Sequence, residues 1–352
     1  MIQKLNVKFS LCISYLIVNL FFILNIHAQP ILSKKLQKEL SEFVWIDQKT
    51  EKHVVLGTHL EPEPGSKPLD LKLPEHYEPI TDTFLFQSAF VSKTEVTAAQ
   101  YALFLKDSLQ LARNDSNAIR LLLPDCNPEV LFPNYCMPES NKLIKLTQYS
   151  QYPVVCVNYA QVSAYCTWLT NRLNRLVLSD KNTPAFSFEA RIPSDLEYEF
   201  LMGKDLSAIR DNCGAFPIGL GNNPQLTESD GFMFLNPVRA FPANSLGLFG
   251  LYGNASEWAQ DDLGQVIARD IQIYRAATNE LRDNSLINIP TPVEDPQNYE
   301  ELYTQFDGIK AVKGGSYCTT PARANGATRG ACPSNQSRCW LGFRPIINII
   351  HN

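Results

Sequence analysis

Near the start of the chain apolar residues recur at Ile31, Leu32, Leu36, Leu40 and Phe43, a helical spacing that predicts a short amphipathic helix within residues 29–42. Phe43-Val44-Trp45-Ile46 and Val54-Val55-Leu56 then read as short strands. Pro62, Pro64, Gly65, Pro68 and Pro74 mark an irregular connection after them. Three further helix starts carry one signature, a short polar side chain that caps free amides and a Gln or Glu three residues on that reaches back. They are Thr97 with Gln100, Asn158 with Gln161 and Ser194 with Glu197. Each follows a strand-like or turn-like segment: Phe90-Val91-Ser92-Lys93, Pro153-Val154-Val155-Cys156-Val157 and Arg191-Ile192-Pro193. The order predicts an α+β domain of short helices, small sheets and long loops, not a regularly alternating doubly wound sheet. Two stretches rich in Pro, Asn, Asp and charge, 108–152 and 261–311, read as insertions. Trp168, Trp258, Trp340, Tyr165, Tyr198 and Phe343 read as core aromatics.

Composition changes this picture little. Of 352 residues 45% are apolar and 19% charged, as in an ordinary folded protein. A formal net charge of -5, with no basic stripe, argues against nucleic acid as a partner. The beginning matters more. Lys4 and Lys8 precede an apolar run from Phe9 to Ile26, and His27-Ala28-Gln29-Pro30 follows. This predicts a signal peptide over 1–28, cut after Ala28, with an exported product that has no membrane span after cleavage. The alternative is an uncleaved span, because the run is near the roughly 18-residue minimum for a membrane helix. The mature domain is then expected over 43–350, in the periplasm, on the outer membrane or outside the cell.

Nine cysteines are present, and removal of Cys12 with the signal leaves eight. Export permits disulfides, and Cys126 with Cys136 and Cys332 with Cys339 are candidate pairs among those close along the chain. The five histidines are His27, His53, His59, His76 and His351, so none lies between Tyr77 and Ile350. That excludes a His-rich iron site and leaves Ser316 without an imidazole nearby in sequence. Glu197 and Glu199, at i and i+2, do not share a helix face and read as a cap and a separate contact.

Seven anchors occur in a fixed order. They are Val91-Ser92-Lys93-Thr94-Glu95-Val96-Thr97, Tyr152-Pro153-Val154-Val155-Cys156-Val157-Asn158, Ala164-Tyr165-Cys166-Thr167-Trp168-Leu169, and Ala190-Arg191-Ile192-Pro193-Ser194-Asp195-Leu196-Glu197. Asn244-Ser245-Leu246-Gly247-Leu248-Phe249-Gly250-Leu251-Tyr252-Gly253-Asn254-Ala255-Ser256-Glu257-Trp258, Lys313-Gly314-Gly315-Ser316-Tyr317 and Leu341-Gly342-Phe343-Arg344 complete the series. The series resembles the formylglycine-generating enzyme (sulfatase-modifying factor) family, and the resemblance implies a variant of the C-type-lectin-like fold. Leu122-Leu123-Pro124-Asp125, before the Tyr-Pro-Val-Val segment, is similar to an insertion in gliding-motility lipoproteins of the Bacteroidetes, which serve type IX secretion.

The resemblance also implies chemistry. The family's oxidase holds copper between two thiolates five residues apart, after the Gly-Gly-Ser element, because soft sulfur suits Cu(I). Here Cys318 follows that element one residue early and Arg323 stands five further on. No catalytic residue is therefore expected, and copper is disfavoured; if the chain were active, Cys318 with Cys332 would supply the pair. Calcium is the cofactor that the resemblance leaves in view, bound by hard oxygen ligands. One site maps onto the Asn212 and Asp230 side chains and the Cys213 and Phe232 carbonyls. A second, weaker one maps onto the Gly253 and Ala255 carbonyls and the Glu257 carboxylate, with Gly250 where the family has an Asn ligand; the alternative partner for Glu257 is Arg344. The resulting expectation is a non-catalytic binding or scaffold protein whose partner is another envelope protein. Its rivals are a copper oxidase that forms formylglycine on a sulfatase and a lectin-like ligand binder.

Overall fold

One sheet separates two apolar cores, and the two-residue alternation of strands explains how. The computed structural model describes residues 32–55, 80–112, 119–125, 149–179, 186–203, 235–270, 272–273, 306–317, 319 and 324–351. In chain order the elements are α1 (Lys34–Glu39), β1 (Phe43–Ile46), β2 (Lys49–Val55), β3 (Ile80–Phe86), β4 (Ala89–Ser92), α2 (Ala98–Leu111) and α3 (Tyr159–Leu178). There follow β5 (Phe186–Arg191), α4 (Asp195–Met202), β6 (Ser256–Asp262), β7 (Ile309–Lys313), β8 (Gly330–Pro333), β9 (Leu341–Gly342) and β10 (Ile346–His351). The first sheet has the order β1-β4-β10-β5, all antiparallel, so strands from both ends of the described chain close it together.

Phe90 and Ile347 point from that sheet into a core shared with α2 and α3. Their neighbours Val91 and Ile346 point the other way, with Ile46, into a core shared with α4 and the loop around Leu248 and Leu251. Burial of both faces is why β4 reads as an unbroken buried run, Ala-Phe-Val-Ser, without polar alternation. A second sheet is the β2-β3 hairpin, and a third has the order β8-β7-β6-β9, with β6 and β9 parallel.

The predicted α+β class and the three helix starts are all present. At α3 Asn158 Oδ1 accepts from Gln161 N at 3.0 Å and Gln161 Oε1 accepts from Asn158 N at 2.7 Å; Thr97 and Ser194 open α2 and α4 in the same way. The six core aromatics of the sequence reading are all buried. Tyr152 to Val157 is an irregular crossing, joined by one bridge between Thr97 and Pro153. There the Val154 carbonyl lies so close to Gly342 that a Cβ at that glycine would stand 2.7 Å from it.

Three intervals named from the sequence contain ordered elements. The N-terminal helix is shorter than its apolar pattern, because Ser33 Oγ caps it and Phe43 enters β1. Leu32, Leu36 and Leu40 still sink into the first core, and Glu39 pairs with Arg172 of α3. The interval 108–152 begins inside α2 and includes 119–125, a segment docked on the domain. The interval 261–311 begins inside β6, and a helical segment at 263–270 buries Leu263, Val266, Ile267 and Ala268. Residues of both intervals therefore take part in the described fold. Among the described residues no helix is long and apolar enough to cross a membrane.

Candidate functional site

Residues of four of the seven anchors, around Glu95, Glu257, Tyr317 and Arg344, meet in a buried polar joint. Arg344 follows β9, is wholly buried, and donates from each of its three nitrogens to fixed oxygens. Its Nη1 donates to Ser92 O at 2.9 Å and its Nη2 to Phe249 O at 2.6 Å. Its Nε donates to both Glu257 oxygens at 3.2 and 3.1 Å, and Nη2 adds a bond to Oε1 at 2.8 Å, so all three nitrogens are engaged and four of the five N–H groups are accounted for. Tyr198 of α4 donates its hydroxyl to Glu257 Oε2 at 2.6 Å. Burial raises the Tyr198 pKa well above its usual value, and the Glu257 charge raises it further, so the phenol stays a donor.

Glu95 lies against this pair. Its Oε1 accepts from Asn254 Nδ2 at 2.8 Å, while Oε2 has no hydrogen-bond partner. Burial raises its pKa to about 8; Arg344 opposes the shift and Glu257 adds to it. Asn254, in the left-handed region at φ 58°, accepts from Asn236 N at 2.8 Å and offers its own carbonyl to Tyr317 N at 3.0 Å. The Gly-Gly-Ser-Tyr turn is thereby tied to the joint. Ser316 N donates to Thr319 Oγ1 at 3.0 Å, and the Tyr317 hydroxyl meets Cys339 Sγ at 3.5 Å.

A second buried cluster secures the same region from the other side. Asp195 Oδ1 pairs with Arg329 Nε at 2.8 Å and with Lys313 Nζ at 3.1 Å; Oδ2 pairs with Arg269 Nη2 at 3.1 Å. Asp270 pairs with both arginines. Burial alone would raise the Asp195 pKa, but Arg329, Lys313 and Arg269 together hold it well below the usual carboxylate range. Burial pushes the Lys313 ammonium down, against the pull of Asp195, and its Nζ also donates to Gly326 O at 2.5 Å.

Residues 48–349 match the sulfatase-modifying factor enzyme 1-like domain. The chain belongs to this family. Its α+β arrangement is that of the formylglycine-generating-enzyme variant of the lectin-like fold. Among curated relatives, serine/threonine-protein kinase pkn1 of Chlamydia caviae is 27% identical over 128 residues, which is 36% of this chain and 16% of the kinase. Inactive C-alpha-formylglycine-generating enzyme 2 of Bos taurus is 28% identical over 141 residues, 36% of this chain and 38% of that protein. Formylglycine-generating enzyme of Mus musculus is 29% identical over 128 residues, 32% of this chain and 28% of the enzyme. The similarity thus spans less than half the length of each of these relatives.

Set against the family's sites, the joint contains the Gly253, Ala255 and Glu257 loop, and Glu257 takes the Arg344 partner that the sequence left open. Glu197 caps α4 and also pairs with Arg191 at 2.7 Å. Asn212, Cys213, Asp230, Phe232, Cys318 and Arg323 lie outside the described residues, as do Cys126 and Cys136. Cys332 and Cys339 are both buried but are not joined to each other, which corrects that pairing: Cys332 Sγ donates to Pro333 O at 3.7 Å from β8, and Cys339 faces Tyr317. No spacing in the sequence joins Asp195, Asp270, Lys313 and Arg329, or brings Glu95 to Glu257. The available signal was local, a charged residue set among apolar ones, as Glu95 is beside Val96 and Lys313 beside Ala311-Val312.

Proposed function

We propose that this chain is an exported, non-catalytic member of the sulfatase-modifying factor family, a binding or scaffold component of the cell envelope in a type IX secretion or gliding apparatus. The observation that carries this reading is in the sequence after the Gly-Gly-Ser turn: Arg323 stands five residues beyond Cys318, and a guanidinium does not ligate copper. The turn itself supports it, because Ser316 and Tyr317 are buried and bonded into the domain. The matched relatives include a kinase and an enzyme named inactive, so the domain occurs outside formylglycine formation. Lys4, Lys8 and the apolar run after them support export. Leu122-Leu123-Pro124-Asp125, which resembles the gliding-lipoprotein insertion, supports the apparatus.

Two experiments test the proposal. Incubated with copper and a peptide bearing a sulfatase-type cysteine, the purified protein leaves the peptide mass unchanged; tight copper binding with conversion to formylglycine would instead establish the oxidase. Crosslinking in cells followed by mass spectrometry recovers a defined envelope protein, and recovery of the chain alone at every crosslinker length would remove the scaffold role.

A further inference from the structure

The resemblance places a second calcium ion on the Gly253 and Ala255 carbonyls and the Glu257 carboxylate. The residues present do not fit it. We infer that the 250–257 loop of this chain is closed by its own side chains and takes no calcium.

Glu257 is the first obstacle. A carboxylate offers about four acceptor positions. Arg344 makes three contacts to Glu257 at 2.8 to 3.2 Å, and Tyr198 makes a fourth at 2.6 Å. An incoming cation has to displace a guanidinium that is itself fully buried and also bonded to Ser92 and Phe249. Such a displacement leaves Arg344 buried without its counter-charge, a severe cost.

Gly250 is the second. It stands where the family supplies a ligand side chain, and the volume that side chain needs is already filled. A Cβ on Gly250 would lie 2.5 Å from Glu95 Oε2, 2.6 Å from Oε1 and 2.7 Å from Cδ. The backbone there has φ 63°, which side chains other than Gly rarely adopt. Calcium requires about six to eight oxygens. Tyr252 through Ala259 are buried, so most of those oxygens must come from the protein. Among the described residues no three His, Cys, Asp or Glu side chains converge to hold a metal. The guanidinium of Arg344 is the cation that balances Glu257, and the Glu95 carboxyl fills the remaining space.

The test uses the full chain stripped of metal. Hydrogen exchange of peptides covering 247–258 is expected to be the same in calcium and in EDTA. A site with Kd of about 1 mM slows exchange about tenfold at about 10 mM calcium, and slowing of that size confined to these peptides overturns the inference. Equilibrium dialysis provides a second reading. Asp230→Ala removes the other site implied by the resemblance, and that variant is expected to bind no calcium. An ion that Asp230→Ala retains and that Asp230→Ala combined with Glu257→Gln loses also overturns it. If either variant fails to fold, exchange in the unaltered protein decides alone.

Discussion

Asp195 receives two parallel bonds from Arg329, Nε to Oδ1 at 2.8 Å and Nη2 to Oδ2 at 2.9 Å, and neither side chain is more than 5% exposed. Lys313 shares the same carboxylate, so Asp195→Asn takes from a buried ammonium and a buried guanidinium the charge bonded to both. Removing one partner of a buried pair costs about 3–5 kcal/mol. A urea melt of Asp195→Asn is expected to show a loss of that order, and a loss below about 1 kcal/mol refutes a structural role for the cluster.

The same carboxylate sets an acid limit. Its folded pKa lies well below the 3.8 of a free Asp. A depressed carboxylate contributes stability that is present above the unfolded pKa and lost as pH falls toward the folded one. Stability is therefore expected to decline below about pH 4, with part of that decline absent in Asp195→Asn. Thermal melts from pH 6 down to pH 3 measure it.

Glu95 acts in the opposite sense. Between its unfolded value of 4.5 and its folded value of about 8, the folded protein holds a proton that the unfolded chain has released. Its contribution to stability falls as pH rises through that window, by up to about 1.4 kcal/mol per pH unit. Glu95→Gln is expected to flatten the slope and to stabilise the protein more at pH 8 than at pH 5. An unchanged slope shows that Glu95 is ionised in the native state.

What the sequence disclosed follows from the range of the forces involved. Capping boxes are local, so Thr97, Asn158 and Ser194 were legible from residues three apart. The seven anchors were legible as an ordered set, and Glu257 with Arg344 was among the pairings they allowed. Asp195 with Arg329 was not, because 134 positions separate the partners and no spacing rule spans that distance. The 263–270 helical segment is hidden for a related reason: Asp270 is buried because Arg269 and Arg329 pair with it, and Arg329 is far away along the chain. The Cys332 and Cys339 pairing failed because nearness along the chain says nothing about which way two side chains face.

Although α1 has only six residues, Leu36 within it is wholly buried. So short a helix does not persist by propensity alone. It is held by Leu32, Leu36 and Leu40 in the first core and by the Glu39 to Arg172 pair. Leu36→Ala is expected to cost about 2–5 kcal/mol, as for other large-to-small core changes. A denaturant midpoint equal to that of the unaltered protein means that α1 is peripheral.

Gln161 links helix capping to the docked segment. Its Oε1 closes the α3 capping box, while Nε2 donates to Leu121 O at 3.0 Å and to Leu123 O at 2.7 Å. The Tyr101 hydroxyl donates to Leu122 O at 2.7 Å, and Asp125 N donates to Cys156 O at 2.6 Å. The backbone carbonyls of Leu121, Leu122 and Leu123 are thus held by side chains in place of a sheet. Gln161→Ala removes two of these bonds and half the capping box, at about 1 kcal/mol for each lost bond. Hydrogen exchange is expected to quicken at 119–125 and at the first turn of α3, with β4 and β10 unaffected. Quickening spread evenly over the whole domain would mean that Gln161 supports global stability and does not specifically hold this segment.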